Sequence, residues 1–186
     1  MKRTRTFIAI LVTAWLLALP ERVFSQQYIS KSSTITFFSE APLENIEAVN
    51  SKATSLIDLE TGEIVFSVPI DAFQFKKSLM KQHFNENYMD TEIYPKSTFK
   101  GKVTGYQKQD GKYQAKAEGL LTIHGVTNPL SVEGEMRLSE DEITITTSFP
   151  VLLEDYKIKI PRILFSNIAE SVDVKVQFVY QPYVSK

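Results

Sequence analysis

The sequence predicts an all-β domain of antiparallel strands, closed as a barrel or stacked as a sandwich, with one short helix near residues 75–88. Three observations carry that expectation. Apolar and polar residues alternate with period 2 over most of the chain, the pattern of strands with one dry and one wet face. Short turn-forming clusters separate the alternating runs at regular spacing. Apolar residues make up 43% of the 186 positions while cysteine is absent, so stability must come from a core without disulfides.

The first 25 residues read as an address. Lys2, Arg3 and Arg5 precede an apolar run from Phe7 to Leu19 broken only by Thr13, and Pro20 ends it. That run is shorter than the ~20 residues a membrane-spanning helix needs. Val23-Phe24-Ser25 then places compact residues before a cut ahead of Gln26. Charged start, short apolar middle and small-residue exit describe a secretory signal peptide. The expected domains are therefore a leader over 1–25 and one folded unit over 26–186, periplasmic or secreted after cleavage near Ser25. Losing Lys2, Arg3, Arg5 and Arg22 against Glu21 makes the mature chain more acidic than the full-length net charge of -1.

Within the folded unit, Pro42 to Asn50 reads as a long loop or a turn of helix. Ile64, Phe66, Val68 and Ile70 then share one strand face against Glu63, Ser67 and Pro69. From Phe75 to Tyr88 the period changes: Phe75, Leu79, Met80, Phe84 and Tyr88 recur at close to four, with Lys76, Lys77, Lys81 and Gln82 between them. This is a short amphipathic helix that must lie on the sheet to be stable. A second long alternation sets Tyr113, Ala115, Ala117, Gly119, Leu121 and Ile123 against Lys112, Gln114, Lys116 and Glu118. Leu130, Val132, Met136 and Leu138 follow, then Ile143 and Ile145, and finally Val172, Val174, Val176, Phe178 and Tyr180. The breaks fall at Glu60-Thr61-Gly62, Asp110-Gly111, Thr127-Asn128-Pro129 and Ser139-Glu140-Asp141, all turn chemistry.

Much chemistry is excluded. With 21 basic and 22 acidic residues there is no electrostatic footprint for nucleic acid. The missing cysteine removes thiolate metal sites, iron–sulfur clusters and thiol nucleophiles. No Gly-x-Ser-x-Gly elbow or phosphate-cradling loop is present, and Gly101-x-x-x-Gly105 reads as sheet spacing. The only imidazoles are His83, with Glu86 and Asp90 downstream, and His124, at a strand end where its ring is expected to bond turn backbone. Two histidines fall short of the three or four ligands zinc takes. No catalytic residue, metal or cofactor is expected.

The pattern leaves open whether the interior is full or empty. Ala115, Ala117 and Gly119 make a wall of small residues, while Phe66, Phe99, Phe149 and Phe178 are large enough to fill the space. An eight-stranded barrel can be plugged by side chains or hold one small ligand.

Three stretches together resemble the YceI-like family of lipid- and polyisoprenoid-binding proteins. Leu121-Thr122-Ile123-His124-Gly125-Val126-Thr127-Asn128-Pro129-Leu130 is similar to the family's Leu-Thr-x-His/Lys-Gly-Val-Thr-x-Pro hairpin. His83 to Asp90 followed by Tyr94-Pro95-Lys96-Ser97-Thr98-Phe99-Lys100 resembles its helix end and "yPxxxFk" strand, and Phe149 to Tyr156 its late strand. The likeness runs from Tyr28 to Tyr180. One departure is Thr36 to Pro42, which lacks the Ser-x-His common in the family's first strand. The resemblance implies an extended, lipocalin-like antiparallel β-barrel of about eight strands whose interior holds a long apolar chain. It also implies export, a carrier role for isoprenoid quinones or related lipids, and no catalytic residues.

On that reading Phe66, Val68, Ile70, Ala115, Ala117, Leu121, Phe149 and Phe178 line the interior, with Phe75, Leu79 and Phe84 as a lid. Each would alternate in the same way in a filled core. Burial of a methylene contributes about 0.8 kcal/mol, association costs ~4–15 kcal/mol, and micromolar affinity needs about 8 kcal/mol net. The cargo thus needs roughly 15–25 buried carbons, which points to a polyisoprenoid or isoprenoid quinone rather than a short acid. Replacing Ala117 by Phe is expected to abolish cargo while the fold survives. Partners are then a long-chain lipid and, transiently, a membrane. The oligomeric state stays open, a homodimer being one arrangement. The alternatives are a plugged-barrel structural or adaptor module outside the cytoplasm, and a hydrolase or metal enzyme using His83 or His124.

Overall fold

The computed structural model describes residues 27–40, 45–139, 141–159 and 169–183. The leader expected over 1–25 therefore lies outside the described residues, as do Glu140 of one turn and 42–44 of the expected loop. The described strands are β1 (Gln27–Ser39), β2 (Ile46–Asn50), β3 (Thr54–Asp58), β4 (Glu63–Pro69), β5 (Gln74–Phe75), β6 (Lys96–Thr104), β7 (Gly111–Ile123), β8 (Val126–Leu138), β9 (Ile143–Leu152) and β10 (Ser171–Pro182). They form one antiparallel sheet in the order β10-β9-β8-β7-β6-β4-β3-β1-β2-β5, and β10 also pairs with β1. That last pairing closes an eight-stranded barrel, the closure expected from the family resemblance.

Ten strands make eight staves because β2 and β3 share one, and β4 and β5, which pair with β3 and β2 in turn, share the next. Both β2 and β3 pair with β1 in a single register, Ile35 opposite Asn50 and Tyr28 opposite Ile57. The gap between them is bridged by side chains. Asn50, wholly buried, donates from Nδ2 to the Pro69 carbonyl at 2.7 Å and accepts the Lys52 amide at 2.8 Å. Ser33 Oγ donates to the Ala53 carbonyl at 2.8 Å. Backbone groups freed by the interruption thus keep partners inside the barrel.

The expectation of a loop or helical turn ending at Asn50 is corrected: Ile46–Asn50 is a strand. Five residues are too few to display a clear period, and the pairing partner β1 decides the conformation. The helix is also shorter than the spacing suggests. Phe75 belongs to β5, opposite Ala48; α1 spans Ser78–His83, and one wider, π-type turn continues it over Phe84–Tyr88. It lies across one end of the barrel.

The turn expected at Thr127-Asn128-Pro129 is a second correction. The reversal is made by His124 and Gly125, both with positive φ (50° and 73°), as a two-residue hairpin requires. Asn128 and Pro129 are already strand, opposite Leu121 and Leu120. A proline is tolerated there because β8 pairs with β9 only from Gly134 onward, leaving the missing N–H on an unpaired edge. Gly125 has a second reason to be glycine, since a Cβ would collide with the Tyr94 ring. Gly125→Ala is expected to cost about 1–3 kcal/mol through left-handed strain and this clash, measurable as a drop in urea midpoint at unchanged m.

At the turn before β4, Asp58 Oδ1 accepts the amides of Thr61 and Glu60 at 3.0 and 2.8 Å. Those bonds, Thr61's first, hold its carboxyl below the usual carboxylate range. Gly62 follows at φ 76°, and its amide bonds back to the Asp58 carbonyl at 2.8 Å.

The barrel is not uniform along its axis. In the half far from α1, Ile57, Met136, Ile143 and Tyr180 are at most 1% exposed, and Ile64, Val103, Ala115 and Leu138 complete a solid core. The wall of small residues does not leave room. Gly101 and Gly119 face each other across β6 and β7, and the Phe99 ring lies where a Cβ on Gly101 would stand. Smallness on these strands admits a neighbour's ring. The other half is where the interior opens.

Candidate functional site

Beneath α1 the barrel encloses a chamber of about 450 Å³. Its walls come from the C-terminal ends of β1, β4, β7 and β9, the N-terminal ends of β6 and β10, and the helical segment. These termini meet because an antiparallel barrel puts alternate strand ends at the same mouth.

One wall is an aromatic cluster. Phe84 stacks on Phe37 at 5.4 Å between centroids and meets Phe75 at 5.0 Å and Phe73 at 5.7 Å. These contacts pin the helical segment to the barrel rim and replace the pairing that a six-residue helix cannot supply alone. Met80 and Tyr88 face the chamber from the same segment. Opposite lie Phe149, Val151, Val174 and Val176.

The floor is a layer of rings crossing the barrel. Phe66 stacks on Phe99 at 5.2 Å and leans on Phe178 at 5.8 Å; Phe178 in turn contacts Tyr180 at 5.8 Å. Phe66 faces the chamber, and the other three lie behind it. Among the described residues the space is therefore open at one end and blocked at the other.

Of the residues that the sequence reading put on the interior, Phe66, Val68, Ile70, Leu121 and Phe149 border the chamber, as do Phe75 and Phe84 from the lid set. Ala115, Ala117 and Phe178 point inward below the floor, where the barrel is filled. Leu79 is 60% exposed; its neighbour Met80 takes the inward place. The main residues missed were Ile35, Phe37 and Phe73, together with Val174 and Val176, which the alternation of β10 already marked as inward. β1 carries no continuous period-2 signal, since its register slips between Ser30 and Ser32. Such a bulge moves the side chains that follow to the opposite face.

Among the described residues four polar side chains border the chamber: Ser39, His83, Tyr88 and Ser97. Ser39 Oγ accepts the Ala169 amide at 3.2 Å. Burial pushes the Tyr88 phenol up. No lysine or arginine is among the described lining residues.

The two histidines do not meet. Asp90, which could be paired with His83 on sequence spacing, instead places Oδ2 3.2 Å from His124 Nε2. His124 Nδ1 donates to the Tyr156 carbonyl at 3.2 Å, as expected of a ring bonding turn backbone, and Tyr94 meets the ring edge-on at 4.6 Å. Asn128 Nδ2 donates to the Asp155 carbonyl at 2.8 Å. The hairpin thereby ties the end of the helical segment to the turn after β9, on the rim of the chamber. Its polar residues join segments and do not assemble a nucleophile with a base. Among the described residues no group of three or more His, Asp or Glu could hold a metal ion.

A closed eight-stranded antiparallel barrel with a largely apolar chamber at one end is a lipocalin-like architecture. The chain belongs to the YceI-like family, whose model matches residues 28–180. Among solved structures, a polyisoprenoid-binding domain from Saccharophagus degradans implicated in plant cell wall breakdown superposes with a TM-score of 0.73 at 16% identity, covering 84% of this chain and 98% of that one. BcnA of Burkholderia cenocepacia gives 0.67 at 18% identity, over 79% and 95% of the two chains. The YceI protein of Campylobacter jejuni gives 0.62 at 14%, over 78% and 90%. At these identities the likeness is one of fold. No curated protein matches the chain.

Proposed function

We propose that the protein is an exported carrier that sequesters one long-chain lipid, an isoprenoid or quinone-like molecule, in the chamber beneath α1. The observation that carries this reading is an apolar space of about 450 Å³ at one end of a barrel whose other half, among the described residues, is occupied by buried apolar side chains. Tightly packed interiors do not keep voids of that size without a use, since empty apolar volume destabilises. The chamber walls offer dispersion and desolvation and almost no directed polarity, which suits a hydrocarbon chain better than a polar metabolite. Family membership and the polyisoprenoid-binding relative support the same ligand class. Export rests on the leader-like 1–25, with the mature protein periplasmic or secreted and touching membranes transiently to load and unload.

The experiment is direct. Protein purified without detergent is extracted with organic solvent and the extract analysed by mass spectrometry. A stoichiometric long-chain lipid is expected. Its absence from native preparations, together with failure to take up any added lipid, would leave the plugged or adaptor reading in its place.

A further inference from the structure

Resting on the carrier reading, the geometry points to Phe66 as a chain-length stop: we infer that the aromatic floor lets the protein measure its ligand. The chamber opens toward the rim under α1 and ends at the Phe66 ring, which is backed by Phe99 at 5.2 Å and Phe178 at 5.8 Å. Phe178 is 2% exposed and Phe99 3%, so neither has space into which to swing. Beyond them Ile57, Met136 and Tyr180 are fully buried. A hydrocarbon chain entering from the rim cannot run the length of the barrel, because a close-packed interior resists displacement.

The size of the space sets the measure. At roughly 30 Å³ for a water-sized group, the chamber of about 450 Å³ takes about 15 of them, and a methylene is of that size. A chain of about 15 carbons, three isoprene units, fills it. Any longer tail leaves the surplus outside the floor-to-rim distance, where it adds little burial. The ligand class is thus a single linear chain whose first ~15 carbons from the buried end carry the affinity, with its head group at the rim near His83 and Tyr88.

Delipidated full-length mature protein, titrated with straight-chain primary alcohols from decanol to docosanol against a bound anilinonaphthalene dye, tests this. Affinity is expected to rise about fourfold per added methylene until about 15 carbons and then level off. Phe66→Ala is expected to move the levelling point several carbons longer, and Phe66→Leu, a milder truncation that keeps the core apolar, part of the way. Leu79→Ala, on the exposed side of α1, should leave it in place. Affinity that keeps climbing to docosanol in the native protein, or a levelling point unmoved in whichever Phe66 variants fold, would overturn the stop while leaving the carrier role standing. Failure of every alcohol to displace the dye would overturn both.

Discussion

Val174→Trp is expected to empty the chamber without unfolding the barrel. Val174 lies on β10 opposite Phe149 and Phe37 and borders the open space. An indole there displaces about four methylenes of ligand, roughly 3 kcal/mol or two orders of magnitude in affinity at ~0.8 kcal/mol each. The added ring enters a void, so the usual overpacking penalty does not apply and the melting temperature should hold or rise. Lipid extracted per mole of protein measures the loss, and circular dichroism the fold. Full retention of cargo would show that the chamber is not where the ligand sits. Ala117→Phe, which inspection of the alternation alone singles out for this purpose, is the wrong variant. Ala117 faces Val103 and Val132 below the floor, where a ring meets packed atoms and costs about 1–3 kcal/mol of stability while the chamber stays open.

The second large effect concerns the filled half. Tyr180 is wholly buried, its hydroxyl donates to Ser55 Oγ at 2.8 Å, and Ser55 in turn donates to the Val65 carbonyl at 2.8 Å. Tyr180→Ala should cost ~3–5 kcal/mol, the range for deleting a buried ring. Tyr180→Phe should cost only about 1 kcal/mol, because Ser55 keeps one of its two partners. The pair separates ring packing from the hydrogen bond in one denaturation series. The phenol also makes a prediction about alkali. Burial raises its pKa above the ordinary value of 10.0, so the unfolded chain releases this proton first. The stabilising contribution is complete below pH 10 and is lost as pH climbs above it. Tyr88, Tyr106 and Tyr156 shift in the same direction, each led by burial. Stability should therefore fall above about pH 10, and less steeply in Tyr180→Phe; parallel falls in both proteins would remove Tyr180 from the explanation.

The alternation of β4, β7 and β10 stated which side chains turn inward, and the structure keeps those faces. Phe149 and Phe178 look alike in that pattern, yet one borders the chamber and the other blocks its end. Period-2 spacing encodes inside against outside; it carries no coordinate along the barrel axis. That coordinate depends on stagger between strands, set by pairings such as Phe66 with Phe99 and Ser33 with Phe178. β1 escaped notice because one bulge at its start reverses its faces, so its two halves have opposite parity. The hairpin of β7 and β8 is legible as a motif, but Thr127-Asn128-Pro129 reads as its turn because proline usually marks a break. Only the free edge of β8 explains why proline is tolerated there.

By itself, then, the sequence determined the dry and wet faces, the antiparallel architecture and the family, since all three reside in local spacing and short motifs. Closure of the barrel decided where the empty space lies. Rings from β4, β6 and β10, distant along the chain, arrive at one level and fill the section there, and the aromatic cluster under α1 holds the other end open. Both outcomes depend on volumes summed across non-neighbouring strands, a quantity that no local pattern contains.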